Sequence, residues 1–456
     1  MPGVLQRVLY VDLASRQIGE ERLPLEWYRE SLGGHGLAIR YLMEDLRLKN
    51  PVLQDPILIM TGPLTGYPLP GASKASLLSY RQDTRTLKLS SLGGMFPAYL
   101  KHSGFDGVVI TGKAKEPVWL QLKAGENRIL SALDLWGLDV FTTEERVKGA
   151  WSEVSTLTIG PAGENGHLWA TLVIDRFINT GVSLGGDFGR KFLKAVAVEA
   201  DGENIDDAGA DGFLAAAMDY IEGQKISFSS GENRRSCLGC VGGCGLYRAE
   251  EGVAFFADEL ERLKGLLPQL TWDQVHYFYQ ECLRQGLEFY MSAKSVGRGV
   301  SGWNLREGLD HFARNTKDCG EGCFNTRSWG EAQLNVHRWY ADEAFRRVRT
   351  LAGLVERENL AMVRNCLPCC ERWNMSLKEM VYFLNRTGTW AYTPEDLLCL
   401  GERIIRQTMA FYQSLNYGAI KVQRDQSCNR LLPSILGEHS QDYLRLRGWA
   451  DTGYPQ

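Results

Sequence analysis

An α+β architecture is predicted, with a β-rich half over residues 1–205 and a mostly α-helical half over residues 206–456. Three observations predict it. Short Val- and Ile-rich runs bounded by Gly, Asn or Asp fill the first 200 residues, as strands between tight turns do. After Asp201-Gly-Glu-Asn204, apolar residues recur at three- and four-residue spacing, the helical period. All eleven cysteines lie between Cys237 and Cys428, so the two halves also differ in chemistry.

In the first half, Arg7–Asp12 and Gln17–Arg22 read as a hairpin. Ile57–Met60 is a short apolar strand that breaks into the Gly/Pro loop Thr61-Gly-Pro-Leu-Thr-Gly66. Val108–Thr111, Val118–Leu122, Leu157–Ile159 and Ala195–Val198 are further strands. Short helices are expected over Glu26–Ser31 and Ala98–His102. In the second half, helices are expected over Asp258–Leu267, Trp272–Met291, Asp342–Arg364 and Leu377–Leu384. A last one opens at Thr393-Pro394-Glu395-Asp396 and runs to about Leu415. There Thr caps, Pro suits the first helical position, and the acids favour the positive end of the dipole. No internal repeat or low-complexity tract occurs.

Composition bounds the function. The 456 residues are 44% hydrophobic and 23% charged, which supplies a core without covalent staples. A net charge of −4 argues against a broad basic face for nucleic acid. No apolar run reaches the length of a membrane span. Arg7 and Asp12 interrupt the most apolar stretch of the N-terminus, so it does not read as a signal peptide, and a cytoplasmic protein is expected. An odd cysteine count in such a chain favours metal ligands and inert buried thiols over disulfides.

Cys237-Leu-Gly-Cys240-Val-Gly-Gly-Cys244 carries the sharpest chemistry. Three thiolates within eight residues can wrap one metal centre, and the glycines let the backbone turn and offer N–H groups to cluster sulfides. A zinc site would more usually show two C-x2-C pairs, so the reading is a [4Fe–4S] cluster with a distant fourth ligand. Cys366-Leu-Pro-Cys369-Cys370 is the best source of that ligand, and Cys319-Gly-Glu-Gly-Cys323 the second. Cys282, Cys399 and Cys428 read as buried thiols on helix faces. Gly62–Gly71 and Gly181–Gly189 have the composition of phosphate-cradling loops or of plain turns.

Several blocks resemble the tungsten- or molybdenum-dependent aldehyde:ferredoxin oxidoreductase family. They are Gly33-Gly-His-Gly-Leu-Ala38, Gly62-Pro-Leu-Thr-Gly66, Gly93-Gly94 and Gly104-Phe-Asp-Gly107. Thr111-Gly-Lys-Ala114, Ile159-Gly-Pro-Ala-Gly-Glu-Asn165 and Leu193-Lys-Ala-Val-Ala-Val198 continue the family's order. The resemblance resumes at the cysteine trio and at Pro394–Arg403. It implies a pterin-binding β-rich domain that seats a metal between two pyranopterin dithiolenes (with Mg), enclosed by helical domains. It also implies a [4Fe–4S] cluster passing electrons to ferredoxin or an iron–sulfur partner subunit, within an oligomer or multi-subunit complex in an anaerobic setting.

Carried over by position, the resemblance makes Cys237, Cys240, Cys244 and Cys369 the cluster ligands. Lys74, Ser91, Gly93, Gly94, Gly181, Gly185 and Glu288 fall on cofactor-binding positions. Glu259 falls where members carry a carboxylate near the metal, as a proton-moving catalytic group; within the run Asp258, Glu259, Glu261 it also reads as an ordinary solvated glutamate.

Several positions depart from the family. Arg364 and Leu367 replace the Asp and Gly of the D-x-x-G-L-C motif that ends at Cys369. Leu283 replaces the first Asp of the companion motif that ends at Glu288. Lys74 stands for an arginine, Ser91 for an asparagine, and Phe324 for a histidine near the metal. The chain is also short between Glu288 and Cys319. Three readings follow: an active oxidoreductase of aldehydes or related oxo groups, a paralogue that keeps fold and cluster without the pterin metal and serves as an electron-transfer or structural subunit, or a zinc-bound scaffold with no redox role.

Overall fold

The computed structural model describes residues 3–47, 53–123, 125–149, 153–176, 178–180, 184–200, 210–223, 246–248, 254–289, 292–293, 313, 350–370, 375–388, 390–414 and 440–448. Strands β1 (Arg7–Asp12) and β2 (Gln17–Arg22) form the expected antiparallel hairpin. Helices α1 (Leu25–Ser31) and α2 (Gly34–Arg47) follow, then β3 (Ile57–Thr61), β4 (Ala75–Arg81), β5 (Thr86–Leu92), α3 (Phe96–His102) and β6 (Gly107–Thr111). The next stretch holds β7 (Val118–Leu122), β8 (Arg128–Ser131), α4 (Val140–Lys148), β9 (Val154–Thr158) and α5 (Pro161–Glu164). It ends with β10 (Leu172–Ile174), β11 (Ile178–Thr180), α6 (Leu184–Arg190) and β12 (Leu193–Glu199).

These strands build two six-stranded sheets, ordered β2-β1-β6-β3-β4-β5 and β11-β10-β9-β12-β7-β8. Side chains alternate across a strand, and here both faces of the first sheet are buried. Leu9, Val11, Ile57, Ile59, Leu77, Val108 and Ile110 point into a core shared with Val118, Leu120, Leu157, Leu172 and Val196 of the second sheet. Val8, Leu58, Met60, Leu78 and Val109 point the other way, into a core shared with helices. Because both faces are covered, β3 and β6 read as unbroken apolar runs.

Among the described residues the later chain is helical, as expected, apart from the short hairpin of β13 (Leu246–Arg248) and β14 (Ala254–Phe256). The helices are α7 (Ala210–Gly223), α8 (Ala257–Leu266), α9 (Trp272–Gln285), α10 (Leu351–Cys366), α11 (Leu377–Leu384), α12 (Pro394–Ser414) and α13 (Ser440–Leu446). Helices α7, α10, α11 and α12 join α2 over the first sheet. Helices α8 and α9 make a separate core with α4 and with Trp169, Ala170 and Val173 beside the second sheet. The β half is thus held between two helical layers. Among the described residues, no helix is long and apolar enough to cross a membrane.

Two helices differ from the expected extents by more than two residues. The run Trp272–Met291 stops at Gln285, because Gly286 takes the left-handed conformation (φ 67°) and its N–H turns back to Cys282 and Leu283 carbonyls. The helix expected over Asp342–Arg364 is described from Leu351 and continues to Cys366; Thr350 caps it by accepting the Gly353 N–H at 3.1 Å, and residues 342–349 lie outside the described residues. Helix α2 and the β4–β5 hairpin went unpredicted. The glycines of Gly33-Gly-His-Gly36 hide a helix start, and the hairpin's turn at Gln82–Arg85 carries no glycine, relying instead on Arg85 at φ 53°.

Candidate cofactor and cluster site

The C-terminal end of α10 is pressed onto the loops of the first sheet. A Cβ on Gly33 would lie 2.6 Å from the Thr61 carbonyl oxygen, and one on Gly34 would lie 2.7 Å from Pro368 Cγ. Gly62 faces the Pro368 ring so closely that a Cβ would overlap its Cδ. Gly34 also has φ 49°, which favours glycine. Two bonds fix the arrangement: Ser76 Oγ donates to the Asn365 carbonyl at 2.9 Å, and the Cys370 N–H donates to the Gly71 carbonyl at 2.8 Å. The glycines of Gly33–Gly36 and Gly62 therefore exist to admit the segment Asn365–Cys370.

The end of α9 docks on the second sheet in a parallel manner. The Thr171 N–H donates to the Gly286 carbonyl at 2.8 Å, the Glu288 N–H donates to the Trp169 carbonyl at 3.0 Å, and Leu287 bridges Ala170. A Cβ on Gly160 would overlap the Gln285 carbonyl. The two motif segments, Leu283–Glu288 and Arg364–Cys369, thus each follow a helix onto a glycine of the β half. They differ at the turn: Gly286 is left-handed, whereas Leu367 replaces it with φ −102°.

Four of the expected cofactor positions, Lys74, Ser91, Gly93 and Gly94, lie along one sheet edge. Strand register pairs Ala75 with Leu92 and Ser76 with Ser91, which places Lys74 level with Gly93. Ser73 Oγ donates to the Gly94 carbonyl at 2.5 Å, and Gly94 turns with φ 78°. Thr180 Oγ1 donates to the Ser91 carbonyl at 2.8 Å, so the second sheet's edge meets the first beside these residues. Lys88 on β5 pairs with buried Asp187 on α6 at 3.3 Å, which clamps the same junction. Gly185 lies a step away, where a Cβ would come within 2.6 Å of the Thr171 carbonyl oxygen. Gly181 lies outside the described residues.

The glycines of Leu184–Arg190 are used for close packing rather than for an open loop. Gly189 abuts the Gly163 carbonyl on α5, and α5 and α6 pack together. In the other glycine loop, the N–H groups of Gly62, Thr65, Tyr67, Leu69, Ala72 and Lys74 donate within the loop itself. Those amides are already satisfied by turns.

Cys369 is buried, and burial pushes its thiol up to about 12; the nearby Arg364 and Lys74 cations pull the other way. Lys74 thus stands near both Cys369 and the Gly93–Gly94 turn. Cys366 is fully buried and its thiol is likewise pushed up to about 12. Cys370 is half-buried. Cys282 is buried as expected, but Cys399 is exposed: it lies off the buried stripe Leu397, Leu400, Ile404, Thr408 of α12. Cys428 and the cluster candidates Cys237, Cys240 and Cys244 lie outside the described residues, as do Cys319, Cys323 and Phe324. Glu259 falls on α8, and its side chain is outside the described part. Among the described residues, no group of three or more His, Cys, Asp or Glu side chains could hold a metal ion.

The donor set fits an implied pterin cofactor only in part. Lys74 and the Gly93–Gly94 turn suit an anionic group, and half-buried Glu288 keeps an acid at the end of its motif. The first acid of each motif is gone. Leu283 is fully buried among apolar side chains, and Arg364 donates to the Met375 carbonyl at 3.0 Å. Neither can accept hydrogen bonds from a pterin edge. Sequence reasoning also missed Ser73, Ser76, Thr180 and Asn365. These polar partners have no motif of their own, because each acts through a backbone carbonyl fixed only by the fold.

Residues 8–200 match the family model described as aldehyde ferredoxin oxidoreductase, N-terminal domain. The chain is 32% identical over 204 residues to the tungsten-containing aldehyde ferredoxin oxidoreductase of Thermococcus kodakarensis, a match covering 44% of this chain and 34% of that protein. It is 34% identical over 204 residues to the protein of the same description from Pyrococcus furiosus, with the same coverage. It is 31% identical over 216 residues to the aliphatic sulfonate oxidoreductase, WOR-like subunit, of Pyrococcus furiosus, covering 43% of this chain and 34% of that one. The matched stretch spans about a third of the length of each of these curated relatives.

Among solved structures, the chain superposes on the active site complex BamBC of benzoyl coenzyme A reductase in complex with 1,5-dienoyl-CoA. The TM-score is 0.78 at 15% identity, covering 100% of this chain and 96% of that one, which establishes a shared fold. The β half is thus an N-terminal domain of the aldehyde ferredoxin oxidoreductase type.

Proposed function

We propose that the chain is a redox protein of the aldehyde oxidoreductase type, with a pterin-binding domain over residues 1–205 and a cluster-carrying helical region over 206–456. Cys237, Cys240, Cys244 and Cys369 hold a [4Fe–4S] cluster; Lys74, Ser91, Gly93, Gly94, Gly181, Gly185 and Glu288 face a tungsten or molybdenum bis-pyranopterin with Mg. When bound, that group would exchange an oxo or hydride equivalent with an aldehyde-like substrate. The chain's own residues seat it, and Glu259 moves the proton. Ferredoxin or an iron–sulfur partner subunit takes the electrons.

The observation that carries this reading is the docking of the Asn365–Cys370 segment on the first sheet's loops, where Ser76 Oγ donates to the Asn365 carbonyl and the Cys370 N–H to the carbonyl of Gly71, three residues before Lys74. Buried Cys369 at this junction suits a ligand whose cluster is shielded from solvent. A second reading has one specific observation in its favour. Leu283 and Arg364 remove both leading acids of the motifs, as expected of a paralogue that keeps the cluster as an electron-transfer or structural subunit and has lost the pterin metal.

Elemental analysis of anaerobically purified protein, with its visible spectrum, separates the two. About four irons with one tungsten or molybdenum supports the oxidoreductase. About four irons and no heavy metal supports the electron-transfer subunit. Zinc alone in a colourless protein overturns both.

A further inference from the structure

Away from the motif loops, α12 presents Asp396, Cys399, Leu400 and Arg403 at i, i+3, i+4 and i+7, one helix face. With Arg29 at the end of α1, and Tyr392, they line an open cleft of about 390 Å³. That volume suits a small organic ligand.

The walls are built rather than loose. Tyr392 Oη donates to the Arg29 carbonyl at 2.9 Å, and Arg403 Nη2 donates to the Glu30 carbonyl at 3.0 Å. Tyr392 exchanges two hydrogen bonds with Asn385, at 2.8 and 3.0 Å, and stacks on Trp390. The cleft sets two guanidiniums against one carboxylate. Neither Arg29 nor Arg403 is ion-paired with a carboxylate among the described residues. The cleft's own acid, Asp396, is committed to the helix start, where the Thr393 N–H and hydroxyl both donate to its Oδ2 at 2.8 Å. Cys399 is exposed in the same cleft, one turn before Arg403.

We propose that this cleft is a thiol-modification site, in which Cys399 exchanges with a small disulfide whose carboxylates are held by Arg29 and Arg403. The Cys399 thiolate attacks one sulfur of the reagent, whose S–S bond breaks as the new one forms. The other half leaves as a thiolate and takes a proton from water. Cys399 is oxidised to a mixed disulfide, and half of the reagent is reduced to a thiol. The guanidiniums act by binding and orienting the carboxylates, since Arg pairs with them through two parallel bonds.

The test uses the full-length protein with three reagents: anionic glutathione disulfide, neutral 2-hydroxyethyl disulfide and cationic cystamine. Adduct on the Cys399-bearing peptide is followed by mass spectrometry, with Cys399→Ser as the assignment control. The anionic reagent should react about tenfold faster than the neutral one, the size expected of one or two charge-assisted contacts, and cystamine slowest. The double variant Arg29→Ala/Arg403→Ala should bring the ratio of anionic to neutral rates, measured within the same protein, close to one. Equal rates for the three reagents on the unmodified chain, or an anionic preference that survives the double variant, would overturn the proposal.

Discussion

The Pro368 ring occupies the space that a side chain on Gly62 would need, so the end of α10 rests on the backbone of the first sheet's loop. The ring is tethered to its own backbone and cannot swing aside. Gly62→Ala therefore forces α10 away from the loop and should destabilise the protein by about 1–3 kcal/mol, the usual cost of overpacking. Replacing the ring as well, in Gly62→Ala/Pro368→Ala, should recover part of that loss. The midpoint of chemical denaturation for the two single variants and the double variant measures the coupling. Simple additivity would mean that the two residues do not meet.

A second contact joins two stretches of the β half. Lys194 is fully buried at the irregular start of β12, where it donates to the Leu138 carbonyl at 2.8 Å and pairs with Glu164. Glu164 also accepts the Gly137 N–H at 2.9 Å. Lys194→Met strands a buried carboxylate and should cost about 3–5 kcal/mol. Adding Glu164→Gln removes that charge while keeping an acceptor for Gly137, so the double variant should be more stable than Lys194→Met alone. Thermal midpoints of the three proteins decide it; a double variant no more stable than Lys194→Met would rule out a stranded charge.

Much of the fold was legible in the sequence because its signals are local. Thr393-Pro-Glu-Asp marks a helix start and α12 begins at Pro394; Ser376 with Glu379 forms a capping box at α11. The run Val108–Thr111 needed only its apolar composition to be read as strand β6. The hairpin β4–β5 escaped because Asp83, Thr84 and Arg85 make a turn with no glycine or proline. The site was legible only as motifs. Clustering with Cys366 and Cys370 marked Cys369, and the family resemblance marked Lys74, but neither shows that α10 docks over residues hundreds of positions earlier in the chain. The docking partners, Ser76 Oγ and the Asn365 carbonyl, are 289 residues apart and carry no signal that spacing could show.

His35 gives a pH dependence whose sign follows from its burial. Its Nε2 lies 3.0 Å from Thr408 Oγ1, and that hydroxyl donates to the Ile404 carbonyl, so the imidazole N–H is the donor. Burial lowers its pKa to about 4. The unfolded chain, with an ordinary histidine near 6.5, therefore binds a proton that the folded one refuses between those values. Stability is fully present above about pH 6.5 and falls as the pH drops towards 4, by an amount on the order of 3 kcal/mol. His35→Gln keeps a donor for Thr408 and cannot titrate. Its denaturation midpoint should fall less than that of the unmodified chain between pH 7 and pH 4.5; parallel curves would remove His35 as the source.

Cys369 and Cys370 are adjacent, and the proposed cluster takes its fourth ligand from Cys369. Cys369 is buried beside Arg364 and Lys74, whereas Cys370 is half-buried with its N–H tied to the Gly71 carbonyl. Burial pushes the Cys369 thiol up, Arg364 and Lys74 oppose that only in part, and the same burial would shield a bound cluster from solvent. Cys369→Ser should lose most of the iron and sulfide, or retain a three-iron form, while Cys370→Ser should keep about four irons per chain. Iron content and the low-temperature paramagnetic resonance spectrum of both variants, purified anaerobically, give the answer. Loss of the cluster in Cys370→Ser with full iron in Cys369→Ser would move the ligand one residue along the chain and away from Lys74.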